Sequence, residues 1–526
     1  SIGDVQNYVY AYDDYGRINK ISTPAGEFNY TCLDNSDLVS QMTRPNGVTT
    51  TWRYEQNRNL ITQVQNGTIS TFDYTNNAIG NRLSVSRSGS AFSTPDTLSY
   101  TYNSRGEVTG ATSDKNAAYH YAYNFDPIGN RLTASLAGIG YNYTSNALNQ
   151  YTAITSGSTT TDLTYDFDGN MLTRDGWTQT WNGENRMVQA VKGNVKLQFT
   201  YDYMGRRVEK KVFDGDTLIA HGRFVYSNYK QVEELDALNN NVTVRRYTWQ
   251  PESVGLDVPL ALADVTSNAV YTYTTDANKN VTGLQNTAGT SVVHYDYSPF
   301  GTQTVAIESS AQTNPFRFSS EACDPETDLV YYNYRYYDSR LGRWIKRDPI
   351  AEKGGLNLYG MLNNTLLTHI DTLGLKCCGD HELQSGEGCC NGKIYKTSTQ
   401  GCCNSKDIYL LATHCCCNDT TVYSIEVIEK DFEDIKNKIK TEMESGRYGW
   451  GWDYFLKWRQ CYDQAIDVRV AVPGSLFWTS SEVKVRWLGL GQHYFLNYTF
   501  KCKKGNCPHT GSVFKVDPLF GKNDFR

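Results

Sequence analysis

Cysteine is nearly absent from the first 375 of the 526 residues, where only Cys32 and Cys323 occur. The other 12 of the 14 cysteines fall in the last 151 residues, so any disulfide framework belongs there. Long apolar runs are missing too. None approaches the roughly 18–20 residues of a spanning helix, which argues against a membrane span. No basic block occurs and the net charge is −6, so the electrostatic footprint of a nucleic-acid binder is lacking. There is no H-E-x-x-H, no P-loop and no dinucleotide glycine motif, which leaves zincins, P-loop enzymes and dinucleotide enzymes without support. No cofactor is expected. The first residues, Ser1-Ile2-Gly3-Asp4-Val5, show no initiator Met, basic segment or apolar segment. They read as the start of a fragment whose N-terminal delivery module is out of view.

What is present divides in two. Residues 376–526 hold 20 Lys+Arg and 18 Asp+Glu, a net +2, so the first 375 carry −8 of the total of −6. The chain length alone predicts two to four domains. Tyrosine (39) and glycine (43) are abundant, and in the first part they recur with a period of about 20 residues. The unit is an aromatic-Asp/Asn pair, a few polar residues, Gly-Asn/Arg, often an Arg, then an aliphatic residue. Phe125-Asp126-Pro127-Ile128-Gly129-Asn130-Arg131-Leu132 and Tyr201-Asp202-Tyr203-Met204-Gly205-Arg206-Arg207-Val208 are clear copies. From Tyr102 through Tyr123, Tyr143, Tyr165, Trp181 and Tyr201 the steps are 21, 20, 22, 16 and 20. Stretches such as Lys196–Tyr201 alternate with period two, and the Asp-x-x-Gly clusters supply the positive-φ residues of a turn. Each unit is therefore a β-hairpin that must stack on its neighbours to bury a face, and a mainly β fold is predicted.

These units resemble the YD repeats of the RHS family, which includes the BC cocoon of Tc toxins and the teneurins. The likeness tightens over Asn314–Phe318, Asp324–Leu329 and Tyr331-Tyr-Asn-Tyr-Arg335-Tyr-Tyr-Asp338, continuing to Gly342-Arg343-Trp344. Arg347-Asp348-Pro349-Ile350, Gly354–Tyr359, Asn363-Asn364 and Asp371-Thr372-Leu373-Gly374-Leu375 complete an RHS-associated core. The resemblance implies repeats at 1–304 that spiral into a β-shell, a core at 305–375 that closes it, and a C-terminal cargo. It also implies self-cleavage after a D-P-x-G-L motif by paired aspartates. The matching positions are Asp348 and Asp371, with Leu375–Lys376 as the scissile bond. Arg343 or Arg347 is expected to set which carboxylate is ionised, since two close carboxylates cannot both ionise freely. Thr372 departs from the family's Pro, which puts the backbone geometry at the cut in question. The expected setting is a secreted or surface-bound bacterial protein, with an immunity protein as a further partner.

Beyond the cut, Cys377-Cys378, Cys389-Cys390, Cys402-Cys403 and Cys415-Cys416-Cys417 recur every 12 to 13 residues in a segment, 376–420, read as a loop-rich linker. Disulfides are the default for such a segment; zinc, with His381 and His414, is the competing reading. In 421–526 a small α+β domain is predicted. Residues 425–446 have helical periodicity (Ile428, Phe432, Ile435, Ile439, Met443), and strand-like stretches follow at 483–487, 493–500 and 512–517. Cys461, His493 and Asp517, in that order, resemble the papain-like and transglutaminase-like superfamily, which implies a peptidase or deamidase-type site, with Gln460 or Gln464 near an oxyanion hole. Against this stand a disulfide from Cys461 to Cys502 or Cys507, and a metal held by Cys502, Cys507 and His509. Two functions follow: a toxin shell releasing an enzymatic cargo, or a non-enzymatic surface protein with a disulfide-knit binding module.

Overall fold

The computed structural model describes residues 8–251, 253–308 and 314–375, and ten short strands between 387 and 525. The chain forms two compact units, Ser1–Cys377 and Cys378–Arg526. Among the described residues no helix is long and apolar enough to cross a membrane.

The first unit is mainly β. Fifteen strands from Val9–Tyr12 to Thr159–Asp162 form one antiparallel meander, and fourteen from Thr164–Tyr165 to Gln303–Glu308 form another. Each strand pairs with its neighbours in sequence. Alternation sets the faces: in Tyr121–Phe125 the three aromatics are buried while Ala122 and Asn124 are exposed. The last strand runs to Glu308, so the boundary predicted at 304/305 falls inside a strand.

The repeat motif has a hydrogen-bonding explanation. In Asp126–Asn130 the carboxylate Oδ1 accepts from the amides of Ile128 (3.0 Å) and Asn130 (2.8 Å), an Asx turn. Gly129 takes φ 88°, the left-handed region that a side chain disfavours. The fifth residue then clasps the next turn. Asn130 Nδ2 donates to Asn149 Oδ1 (2.9 Å), Asn170 Nδ2 to Asn185 Oδ1 (2.8 Å) and Arg186 to the Asp202 carbonyl (3.1 Å). The repeating aromatic donates backwards: Tyr201 OH bonds the Met187 carbonyl (2.7 Å) and Trp181 Nε1 that of Met171 (2.7 Å). The fifth residue and the repeating aromatic thus tie one hairpin to its neighbour, while the Asp and Gly shape the turn itself.

The strip of hairpins curls until its start meets its later strands. Ile21, Phe28, Tyr30 and Met42 pack with Leu260 and Ala261. Arg44 Nε donates to the Tyr273 carbonyl (2.9 Å) and Asn46 Nδ2 to that of Asn286 (3.0 Å).

Residues 314–375 then fold along the turns of the strip. A four-stranded sheet (Ala322–Asp324, Leu329–Tyr332, Arg335–Asp338, Arg343–Trp344) is buried almost throughout. Its segment contacts several of these turns. Arg343 donates to Asn130 Oδ1 (2.7 Å) and the Asn149 carbonyl (2.8 Å), and Tyr359 OH to the Gly169 carbonyl (2.8 Å). Tyr331 OH accepts from the Arg207 amide (2.7 Å).

In the second unit, the segment read as a loop-rich linker carries three hairpins. They are Glu387–Cys390 with Lys393–Lys396, Gln400–Cys403 with Asp407–Leu410, and His414–Cys417 with Thr421–Ser424. The 12–13-residue spacing of the cysteine pairs accommodates two four-residue strands and their connections, with Ile, Tyr and Val favouring extension. Trp478–Arg486, Gln492–Phe500, Val513–Val516 and Asn523–Phe525 form an antiparallel sheet that overlaps the strand-like stretches 483–487, 493–500 and 512–517. The predicted helix 425–446 lies outside the described residues.

Candidate functional site

The two predicted aspartates meet at one cation. Arg335, at the head of the strand Arg335–Asp338, places Nη1 2.9 Å from Asp348 Oδ2 and Nη2 3.8 Å from Asp371 Oδ2. All three are buried: Arg335 is 1% exposed, Asp371 4% and Asp348 7%. The guanidinium also lies over the Trp344 ring, 4.2 Å from its centre.

Each carboxylate has a defined seat. The Asp348 amide donates to the Leu358 carbonyl (2.9 Å), and its Oδ1 accepts from the Ile350 amide (3.0 Å). Gly354 leaves room for it, since a Cβ there would stand 2.4 Å from Asp348 Oδ2. Asp371 Oδ1 accepts from the amides of Leu373 (3.1 Å), Gly374 (2.8 Å) and Leu375 (3.2 Å). The Tyr334 amide donates to the Leu373 carbonyl (3.1 Å), pinning the loop to the sheet. Gly374 takes φ 75°, and a Cβ on it would stand 3.0 Å from the Tyr332 carbonyl oxygen.

The electrostatics raise the proton affinity of Asp371. Burial pushes its carboxyl up, outweighing Arg335 and the three amides that pull the other way. Burial also lowers the proton affinity of Arg335, opposed by the two carboxylates. The Gly374–Leu375 peptide is held on both sides: Arg335 Nε donates to the Gly374 carbonyl and the Leu375 amide donates to Asp371. The adjoining bond is Leu375–Lys376, whose Lys376 lies outside the described residues. Thr372 is exposed, and its amide is not among the three that Asp371 accepts from. A proline there would remove none of those hydrogen bonds.

The arginines expected to act on the dyad are placed elsewhere. Arg343 reaches Asn130 and Asn149 and lies 3.5 Å over the Tyr151 ring, and Arg347 borders Gly169 and Tyr359. Their place is taken by Arg335, which the sequence reading did not single out. Its signal was available: a lone cation inside the aromatic run Tyr331–Tyr337 must be buried with counter-charges. In the second unit, His493 pairs in register with Val485 near the start of its strand. Cys461 and Asp517 lie outside the described residues. Among the described residues no three His, Cys, Asp or Glu side chains group as metal ligands.

Known proteins share both the sequence and this arrangement of strands. The chain is 27% identical over 372 residues to the tRNA nuclease WapA of Bacillus subtilis (strain 168), covering 67% of this chain and 15% of that protein. It is 27% identical over 232 residues to the double-stranded DNA deaminase toxin A of Burkholderia cenocepacia (strain H111), covering 38% of this chain and 16% of that one. The chain therefore spans about a sixth of the length of either relative. Among solved structures, TcdB2-TccC3-TEV superposes with a TM-score of 0.53 at 18% identity, over 71% of this chain and 22% of its own. That likeness shows a common fold. The teneurin YD-shell model matches residues 92–365, more than half of the sequence, and the chain belongs to this RHS/YD-shell family.

Proposed function

We propose that this chain is the closing part of a toxin shell that cuts itself after Leu375 and so releases residues 376–526 as cargo. One observation carries the reading: a buried Arg335–Asp348–Asp371 cluster grips the peptide just before the predicted bond. In the reaction, Asp348 takes a proton from a water molecule whose oxygen adds to the Leu375 carbonyl carbon. Asp371 gives its proton to the carbonyl oxygen. Collapse of the tetrahedral intermediate breaks the C–N bond, and a proton passes to the Lys376 nitrogen. The composition break and the division of the chain at Cys377 support the same boundary.

The cargo is proposed to be a cysteine-dependent peptidase or deamidase using Cys461, His493 and Asp517, supported by their order along the chain. The relatives' names, a nuclease and a deaminase toxin, support a toxic activity in general. Secretion and neutralisation by an immunity protein belong to the same proposal. The test is expression of the full chain. A released C-terminal fragment should appear on a denaturing gel and vanish in Asp371→Asn, and growth arrest should be relieved by Cys461→Ala. An uncut wild-type chain without toxicity would favour a surface protein with a C-terminal binding module instead.

A further inference from the structure

Lys346 precedes Asp348 by two residues and is buried, 7% exposed. Its ammonium donates to the Asn185 carbonyl (2.7 Å). Asn185 sits in the wall turn 182–186 with φ 58°, where Asn182 Oδ1 accepts from the amides of Glu184 and Arg186, both at 3.0 Å. The charged groups acting on Lys346 are Arg335, Arg186 and Asp348, and Arg186 is itself paired with Glu184 at 3.2 Å. Burial, with the two guanidiniums adding to it, pushes the Lys346 ammonium down to about 8.

A buried ammonium beside two guanidiniums is a costly choice where a methionine of similar length would fill the space. Its placement suggests what it is for. The wall holds the segment that leads to Asp348 at three further points: Asn130 and Asn149 through Arg343, and the Met171 amide through the Ile345 carbonyl (2.9 Å). Lys346, two residues before Asp348, is the contact nearest the carboxylate that ends in a hydrogen bond to the wall backbone; Arg347, one residue before it, borders Gly169. We infer that Lys346 is a positioning residue for self-cleavage, tying Asp348 to the wall turn 182–186 so that the cut waits until that part of the shell has folded. The inference rests on the self-cleavage reading above.

The test follows the appearance of the fragment as the full chain refolds from denaturant, from about pH 6.5 to about pH 9. The wild type should cut fastest near neutrality and slow as pH rises past about 8, where Lys346 loses its charge. Lys346→Met should cut roughly tenfold to a hundredfold more slowly at neutral pH, as expected for a displaced catalytic group, and lose the step near pH 8. Its melting temperature should be equal to or above that of the wild type. Lys346→Arg, which keeps a charged donor that does not titrate in this range, should restore cutting and hold it flat with pH. Lys346→Met cutting at the wild-type rate with the wild-type profile overturns the inference, as does a Lys346→Arg that fails to rescue. A wild type that stays uncut, like the Asp371→Asn control, overturns the self-cleavage reading and this inference with it.

Discussion

The wall turns and the core's terminal loop use one hydrogen-bonding motif to opposite electrostatic ends. In the wall, Asp202 Oδ1 accepts from the amides of Met204 and Arg206, both at 3.0 Å, and Arg206 pairs with it at 2.7 Å. Its carboxyl is held below the usual range: desolvation, the largest single effect, pushes it up but is outweighed by Arg206 and the turn amides together. Asp371 accepts from three amides and also faces a guanidinium, yet its carboxyl is pushed up. Asp276 is a wall copy of the same turn, accepting from Asn278 and Asn280; it is half-buried, and desolvation shifts it upwards like Asp371. Turn geometry therefore fixes where the carboxylate points, and the balance of burial against a paired guanidinium sets the direction of its shift: Asp338, buried and turn-bound but paired with Arg174, is shifted down.

The largest expected contrast is in cutting. Asp371→Asn should lower the rate of fragment release by roughly a hundredfold or more, as loss of an acid–base group does, while Asp202→Asn leaves it unchanged. Equal rates in the two variants would dissolve the comparison. Next comes the cation. Arg335→Met strands two buried carboxylates and should cost about 3–5 kcal/mol in urea unfolding. Arg206→Met breaks a partly exposed pair and should cost about 1 kcal/mol or less.

The sign of the pH dependence should also differ. Asp202, lowered in the fold, contributes stability above its unfolded value of about 3.9 that is lost as pH falls through the folded value. Asp371 and Asp276 are raised, so their contribution is present below about pH 3.9 and lost as pH rises through the folded value. Unfolding of each Asp→Asn variant across pH should show slopes of opposite sign relative to the wild type. The smallest effect concerns the glycines. Gly205→Ala meets only φ strain at 81°, with no atom within 3.4 Å of the new Cβ, and should cost about 1–2 kcal/mol. Gly374→Ala, at φ 75°, also meets the Tyr332 carbonyl and should exceed it while slowing the cut.

The hairpin strip was legible because both of its signals are local. Alternation in stretches such as Lys196–Tyr201 and the Asp-x-x-Gly turns need only neighbouring residues to act. The dyad was reached through resemblance at Asp348 and Asp371, whereas Arg335 was not. It lies 13 residues before Asp348 and 36 before Asp371, and the sheet that pairs Tyr337 with Trp344, with the bonds from Tyr334 and Arg335 to the 371–375 loop, brings the three together. Arg343 and Arg347 stand closer in sequence to Asp348 but are drawn to the turns at Asn130, Asn149 and Gly169. Proximity along the chain misled there because neighbouring residues of an extended segment point to different sides. The hairpins of the cysteine-rich segment were missed for another reason: paired cysteines were read as staples for loops, while their spacing also matches short strands.

By itself the sequence determined the repeat, the turn chemistry and the break near residue 376, since each rests on composition and short-range periodicity. The tertiary structure alone decided which cation faces the two aspartates and which of the turn-bound carboxylates are buried. The ion pairing joins Arg335 to residues 13 and 36 positions away through folded loops, and the core's contacts with the wall, such as Arg343 with Asn130 at a separation of 213, join still more distant segments; no local pattern encodes either.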